Sequence, residues 1–347
     1  MRVKKEVICI LLMAMTMLLN ACSSDESGAQ TVTTGEEPVG KQVQLMTYAP
    51  YFTEKEAPRR APSGFTAYTP DKTTDMGIYM IKDGDLSYKE ERLRYASKWF
   101  AFFEAEAQKN YTVYGYMPKI TGMSSSLSSV TSDGATLTIN GIKPVTADDI
   151  CIITGVKETD TGLKEGQFHW FMANANDNFY MYLLMDHLYA SVKFSLIVSE
   201  EYAQLRTIKL KTMTLSTDKG SVNAVISLTH NTTGASPITS VTYNTSTGDN
   251  CAAEIFNDAE GQALSSTTPI AVSACFAPTL SDNLTLFSTY DVYDSKGNLI
   301  RANCKATNKI PNLEASRGQR VQLNMKVDPT YLYIMSDKDL DNLFTIE

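Results

Sequence analysis

The sequence contains few of the residues from which catalytic centres are usually built. It has three histidines, His169, His187 and His230, and none stands in the HxxxH or HExxH spacing that places two zinc ligands on one helix face. A complete P-loop, a G-x-S-x-G motif and a CxxC motif are all missing. These absences exclude the familiar signatures of zinc proteases, P-loop nucleotide hydrolases, serine hydrolases and zinc ribbons. We therefore expect no enzyme, no cofactor and no metal site.

Positive charge is also scarce. The chain carries 31 Lys and Arg against 39 Asp and Glu, for a net charge of −8, and has no long basic run. Nucleic-acid binding needs clustered Lys and Arg to neutralise phosphates, so we expect no nucleic-acid partner. Beyond the N-terminus no apolar run is long enough for a membrane-spanning helix, because the best stretch, 179–198, is broken by Asp186, His187 and Lys193.

The N-terminus has the pattern of a lipoprotein signal peptide. Basic residues at positions 2, 4 and 5 precede an apolar run over 7–19, and Leu19-Asn20-Ala21-Cys22 follows. Such a run is too short to span a bilayer, whereas small residues before a cysteine suit cleavage and acylation. We expect residues 1–21 to be removed, Cys22 to carry lipid, and the protein to reach the cell outer membrane. The sequence Ser-Ser-Asp-Glu after Cys22 resembles the export tether of surface-exposed lipoproteins.

The rest of the chain is patterned as strands separated by turns, without regular helical stretches. This spacing predicts an all-β fold of sandwich type. Loop-like residues 157–167 suggest a boundary, which gives a lipidated tether with a first strand (22–60) and two domains (61–165 and 166–347). Residues 99–109 fit a helix or a hairpin strand, and their aromatic content favours the strand.

Two further local patterns predict strand pairing. Asp218-Lys219-Gly220 lies between two apolar-alternating runs and predicts a hairpin turn. Residues 321–327 alternate strictly between apolar and polar side chains, which predicts a half-buried antiparallel strand.

The remaining cysteines of the mature chain allow three disulfide pairings or a set of small buried thiols, and sequence does not choose between them. These cysteines are Cys151, Cys251, Cys275 and Cys304.

The acidic and histidine residues do not assemble into a site by spacing. Asp186 and His187 are adjacent, and adjacent residues on a strand point to opposite faces, so His187 is expected to be a structural histidine. The pairs 148–149 and 200–201 have the same geometry. Residues 337–342 lack the glycine and glutamate of a calcium loop.

One constellation does suggest a function. Val43, Leu45 and Met46 lie in a short alternating strand at residues 42–48, and a Pro-flanked loop containing Arg59 and Arg60 follows. The Arg60-Ala61 bond suits a trypsin-like protease, since no proline follows directly. Cleavage there would detach the lipid and the first strand and leave an apolar groove with unpaired backbone groups. A strand from another molecule could fill that groove.

Segments scattered along the chain resemble the fimbrillin family of Bacteroidales pilins. They are NYTVYGYMP (110–118), DDICIITGV (148–156), MDHLYASVKF (185–194), EYAQLRTIKL (201–210) and PTYLYIMSD (329–337). The resemblance implies two transthyretin-like sandwiches, cleavage of shaft subunits by an arginine-specific protease, and completion of the sheet by a neighbour's C-terminal strand. The donor candidates in this chain are Val321, Leu323, Met325, Val327, Tyr331, Tyr333 and Met335.

The resemblance predicts a fimbrial subunit that acts in adhesion, with other pilin subunits and the protease as partners. Two alternatives remain. One is an uncleaved, lipid-anchored fimbrial anchor, and the other is a surface glycan-binding lipoprotein that stacks sugars on exposed aromatic side chains. The sequence does not identify a receptor.

Overall fold

The computed structural model describes residues 40–55, 65–70, 74–82, 88–104, 111–157, 171–172, 180–230, 236–280 and 283–327. Strands make up most of these residues, which confirms the prediction of an all-β chain. Within the described ranges there is one α-helix, α1 (Glu200–Leu205), and one 3-10 turn (Pro278–Leu280). None of the helical segments in this part of the chain could cross a bilayer.

Numbered along the chain, the strands are β1 (Gly40–Pro50), β2 (Thr53–Glu54), β3 (Phe65–Ala67), β4 (Asp75–Lys82), β5 (Glu91–Arg94), β6 (Trp99–Glu104), β7 (Tyr111–Met117), β8 (Ser124–Thr131), β9 (Gly134–Ile142), β10 (Val145–Thr146), β11 (Cys151–Lys157), β12 (Phe171–Met172), β13 (Tyr180–His187), β14 (Ala190–Val198), β15 (Arg206–Thr229), β16 (Ile238–Ala263), β17 (Ile270–Phe276), β18 (Leu284–Asp294), β19 (Leu299–Ile310) and β20 (Gln319–Val327). Residues 99–104 are thus a strand, as their composition favoured.

The strands form three sheets around a shared hydrophobic core. The first has the order β3-β1-β13-β11-β7-β4-β5, with β6 also on β1 and β12 on β7. The second has the order β10-β17-β14-β20-β2, and the third β19-β18-β15-β9-β8 with β16 on β15. The buried side chains of all three sheets belong to one contiguous cluster.

The predicted boundary at residue 165 falls between strands that pair. β11 lies before it and β13 after it, and the two are antiparallel neighbours. β9 and β15 pair across the same boundary. The described residues from Lys41 onward belong to one compact unit. The division into 61–165 and 166–347 stays a prediction.

β14 illustrates how the sequence produces the core. Val192, Phe194, Leu196 and Val198 are buried on one face, while residues 193, 195 and 197 between them are more exposed. Ser191, just before this run, is buried and donates a hydrogen bond to Ala274 O. This is the period-2 pattern of a strand with one face on the core.

The hairpin predicted at Asp218-Lys219-Gly220 is wrong. The two apolar runs form a single strand, β15, because both pair with the same partner, β16. The register shifts between Thr217 and Val222, so the turn-forming residues make a bulge in a continuous strand instead of reversing the chain.

All four described cysteines are free thiols. Cys151 and Cys275 are buried, and Cys251 and Cys304 are partly buried. The sequence left open either disulfides or small buried thiols, and in this structure the four cysteines are buried or partly buried thiols.

The edge of the first sheet carries a charged cluster. Asp75 of β4 is 6% exposed and accepts hydrogen bonds from Arg92 and Arg94 of β5, with Arg94 Nε 3.0 Å from Oδ1. Burial alone would raise the pKa of Asp75, but the hydrogen bonds and charges of Arg94 and Arg92 outweigh it and leave the pKa below its ordinary value.

Replacement of Asp75 should therefore destabilise the protein in a pH-dependent way. A carboxyl group whose folded-state pKa is lowered stabilises the fold above its unfolded pKa, about 3.9, and this stabilisation is lost as the pH falls through the folded-state pKa. We expect Asp75→Asn to reduce the free energy of unfolding by about 1–2 kcal/mol at pH 7, because both arginines are half-exposed and screened. Urea unfolding at pH 7 and pH 3 measures this. Asp218→Asn, at a side chain 60% exposed, is the control. A deficit for Asp75→Asn that is equal at both pH values would contradict the prediction.

Candidate functional site: the leader strand and its contacts

The strand predicted to be removable is an inner strand of the first sheet. β1 lies between β3 and β13, pairing antiparallel with the first and parallel with the second over Gln44 to Tyr48. We call β1 the leader strand and residues 40–55 the leader. Residues 56–64 connect the leader to β3, so a single cut there would separate the leader strand from β3, with which it pairs.

The leader strand contributes one face to the core. Val43 is fully buried, Leu45 is 2% exposed, and Thr47 and Ala49 are also buried. Met46 was predicted together with Val43 and Leu45 as part of the removable strand. It lies on the opposite face of β1 and is partly buried. Thr47 satisfies its hydroxyl by donating to the carbonyl of Tyr68 at 2.7 Å.

Burial of these side chains makes the leader strand a substantial part of the fold. Burial of Val43 and of Leu45 stabilises the folded state by roughly 1.5–3 kcal/mol each. The ladder to β13 adds main-chain hydrogen bonds. Loss of the strand would therefore expose an apolar slot beside β13, together with unpaired backbone groups.

Beyond Pro50 the leader reaches the C-terminal part of the chain. Thr53 and Glu54 form β2 and pair in parallel with Gln319 and Arg320 at the start of β20. The amide of Thr53 donates to Gly318 O, and the amide of Lys55 to Arg320 O, each at 2.9 Å. Residues 50–55 thus lie over the point where the chain enters β20.

Phe52 anchors this part of the leader. Its ring stacks on His187 with centroids 3.8 Å apart, and the Arg320 guanidinium lies 4.9 Å from the ring on the side of β20. Stacking and cation–π contacts of this kind contribute about 1 kcal/mol each. Phe52 was missed by sequence analysis, since it stands in a short segment without periodicity.

His187, at the end of β13, joins the leader to the core. Its side chain is 4% exposed; Nε2 lies 2.9 Å from Pro50 O, and Nδ1 lies 2.7 Å from Asp149 Oδ2. Asp186 points the other way and accepts from Arg317 Nη1 at 2.7 Å. The prediction that adjacent Asp186 and His187 face apart, and that His187 is hydrogen bonded within the structure, is confirmed.

Asp149 and Cys151 meet His187 from the neighbouring strand. Cys151 is directly opposite His187 in the β11–β13 ladder, and its thiol donates to Asp149 Oδ2 at 3.1 Å. Burial raises the pKa of the Cys151 thiol well above its ordinary value, and the Asp149 carboxylate raises it further. Together the three side chains place oxygen, sulfur and nitrogen atoms within 4.8 Å of one another, a set that could hold a metal ion.

A polar cavity of about 540 Å³ adjoins these residues. Asp148 and Asp149 line it together with Tyr68, Lys119 and the Asp75–Arg92 pair. The sequence placed Asp148 and Asp149 on opposite faces with no partner across a cleft. In the structure, Asp149 does have a partner, because His187 approaches it from the neighbouring strand and Asp149 lines the cavity.

The donor candidates that the structure describes lie in β20. Val321, Leu323, Met325 and Val327 are partly buried and pack on the core, while the residues between them are exposed. The strand pairs with β14 in parallel, so the antiparallel prediction is wrong. Alternation of side chains reports one buried face but carries no information on strand direction.

Other predicted site residues lie outside the described residues. They are Cys22, Arg59, Arg60, Ala61, Tyr331, Tyr333 and Met335, along with the 337–342 segment and His169.

No protein-family model matches this chain, and no curated protein matches it. Solved structures do resemble it. A candidate cell adhesion protein from Bacteroides fragilis is 12% identical, with 83% of this chain and 93% of that chain covered and a TM-score of 0.40. A fimbrial protein from Bacteroides ovatus is 11% identical, with 83% and 50% covered and a TM-score of 0.35.

A candidate polysaccharide-binding protein from Bacteroides thetaiotaomicron is 7% identical, with 82% and 90% covered and a TM-score of 0.32. These three solved structures are described as a cell adhesion protein, a fimbrial protein and a polysaccharide-binding protein, each from a Bacteroides species.

Truncation of the leader strand's core face should destabilise the uncut protein. We expect Leu45→Ala to lower the free energy of unfolding by about 2–4 kcal/mol, since it removes a buried side chain and leaves a cavity. Met46→Ala, one residue along on the other face, is the matched control and should cost about 1 kcal/mol or less. Urea unfolding of the two variants measures the difference. Equal losses would show that the leader strand does not support the core through this face.

Proposed function

We propose that the protein is a structural subunit of a cell-surface fimbria. It is exported as a lipoprotein, cleaved after Arg60, and assembled when a strand of another subunit replaces the leader strand. The observation that carries this proposal is the position of β1. A strand near the N-terminus, tethered to a predicted lipid site, fills an inner position of a sheet and buries Val43 and Leu45 there.

The slot left by the leader strand has the character of a strand acceptor. Its floor is the core face now covered by residues 43, 45, 47 and 49, and its edge is the backbone of β13. An extended segment with apolar residues at every second position would restore both the burial and the ladder. Strand addition of this kind joins subunits by main-chain hydrogen bonds and side-chain pockets.

β20 has the pattern that the acceptor requires. Its four alternating apolar residues, from Val321 to Val327, match the number and spacing of the four buried residues of the leader strand. In its own molecule this strand is only partly buried, so transfer to a deeper slot would bury further apolar surface. The apolar residues at 331, 333 and 335 extend the same spacing along the sequence.

The same cut would also loosen the donor. Removal of residues 1–60 takes away β2, Phe52 and Lys55, which contact Gly318 and Arg320 where β20 begins. The uncut chain therefore holds its donor strand and fills its own acceptor at once. This arrangement would keep subunits monomeric until export is complete.

The test is the N-terminus and intact mass of the protein released from native cell surfaces. We expect the released protein to begin at Ala61 and to lack lipid, because cleavage of the Arg60-Ala61 bond would remove the lipidated segment and the leader together. The double variant Arg59→Gln, Arg60→Gln should leave the chain uncut and monomeric, while Arg59→Gln alone, which retains Arg60, should still be cut and should polymerise.

An acylated Cys22 at the start of all the material would overturn the shaft-subunit proposal. An uncut protein found within fimbriae would then be an anchor. An uncut protein that is retarded in polysaccharide gels, and absent from fimbriae, would be a glycan-binding lipoprotein.

A further inference from the structure

We propose that Asp149, Cys151 and His187 form a binding site for a divalent transition-metal ion, of which Zn²⁺ fits best. The register of the first sheet creates the site. Cys151 and His187 are directly opposed on β11 and β13, and Asp149 precedes Cys151 by two residues, so that all three side chains converge. Their donor atoms lie within 4.8 Å of one another, with Nδ1 and Sγ at 2.7 Å and 3.1 Å from Asp149 Oδ2.

The donor set suits zinc. Thiolate sulfur, imidazole nitrogen and carboxylate oxygen are its ordinary ligands, at about 2.0–2.3 Å from the ion. Three protein ligands leave one of four tetrahedral positions open for water. Calcium and magnesium prefer oxygen ligands and are disfavoured by the thiol and the imidazole.

The hydrogen bonds of His187 leave a place for a cation. Its Nε2 faces the carbonyl of Pro50 and its Nδ1 faces the Asp149 carboxylate, and both of these groups only accept hydrogen bonds. Because a carbonyl only accepts, Nε2–H donates to Pro50 O, the outer bond that metal-ligating histidines usually make, and this bond turns Nδ1 toward Asp149 and the proposed ion.

The ligand set also balances charge. A Zn²⁺ ion held by the Asp149 carboxylate, a neutral imidazole and the Cys151 thiolate leaves no net charge in this buried position. Formation of the thiolate releases the proton of the Cys151 thiol.

Two other features complete the site. Asp149 Oδ1 is buried and has no hydrogen-bond partner among the described residues, so the carboxylate has coordinating capacity to spare. Asp149 also lines the polar cavity, which provides an entry path for the ion and room for a bound water.

The experiment titrates the metal-stripped, purified full chain with Zn²⁺ against a chromophoric chelator. We expect one high-affinity Zn²⁺ per chain and release of at least the Cys151 thiol proton, measured by calorimetry in buffers of different ionisation enthalpy. Co²⁺ in place of Zn²⁺ should give tetrahedral visible bands and a sulfur-to-cobalt charge-transfer band.

Matched variants assign the ligands. Cys151→Ser, which is nearly isosteric, should weaken Zn²⁺ binding at least 10-fold and abolish the charge-transfer band. His187→Gln should weaken binding by a similar factor. Cys304→Ser should change neither. Circular dichroism checks that each variant is folded. If His187→Gln does not fold, Cys151→Ser alone tests the proposed ligand set. Absence of stoichiometric binding, or binding that Cys151→Ser leaves intact, would overturn the proposal and leave a hydrogen-bonded His–Asp pair.

Discussion

The fold depends on a strand near the N-terminus that completes the interior of a sheet. β1 buries Val43, Leu45, Thr47 and Ala49 while its backbone pairs with β13 on one side and β3 on the other. A covering segment at the edge of a sheet could be lost at little cost. An inner strand cannot be lost without exposing apolar surface and backbone groups that must find another partner.

The leader is coupled to the rest of the chain at one point, around His187. The ring contacts Phe52 and Pro50 of the leader and Asp149 before β11, and the His187 carbonyl accepts from Arg317 just before β20. The acceptor side and the donor side of the proposed exchange thus meet at one buried residue, His187. Occupancy of the proposed metal site would fix the same ring, since its Nε2–H is bonded to the leader.

Part of this organisation is visible in the sequence. Alternation over 42–48 identified β1, and the opposite directions of Asp186 and His187 follow from strand geometry alone. Alternation over 321–327 identified β20 as half-buried. These features are local, because each depends only on residues a few positions apart.

Long-range pairing could not be deduced in the same way. The parallel direction of β20 and the continuity of β15 through 218–220 depend on which strand each one meets. The approach of His187 to Asp149 and Cys151 depends on the β11–β13 register, across more than thirty residues. Phe52 lies in a segment of irregular pattern, and its importance comes from the two partners that it contacts.

Hydrogen exchange of the β13 backbone amides that point toward the leader strand, within residues 180–184, tests the central claim most directly. It would be followed in the uncut protein, in the cut monomer freed of its leader, and in the assembled polymer. The account predicts slow exchange in the uncut protein, fast exchange in the cut monomer, and slow exchange again in the polymer. Protection that survives removal of the leader, or that assembly fails to restore, would contradict it.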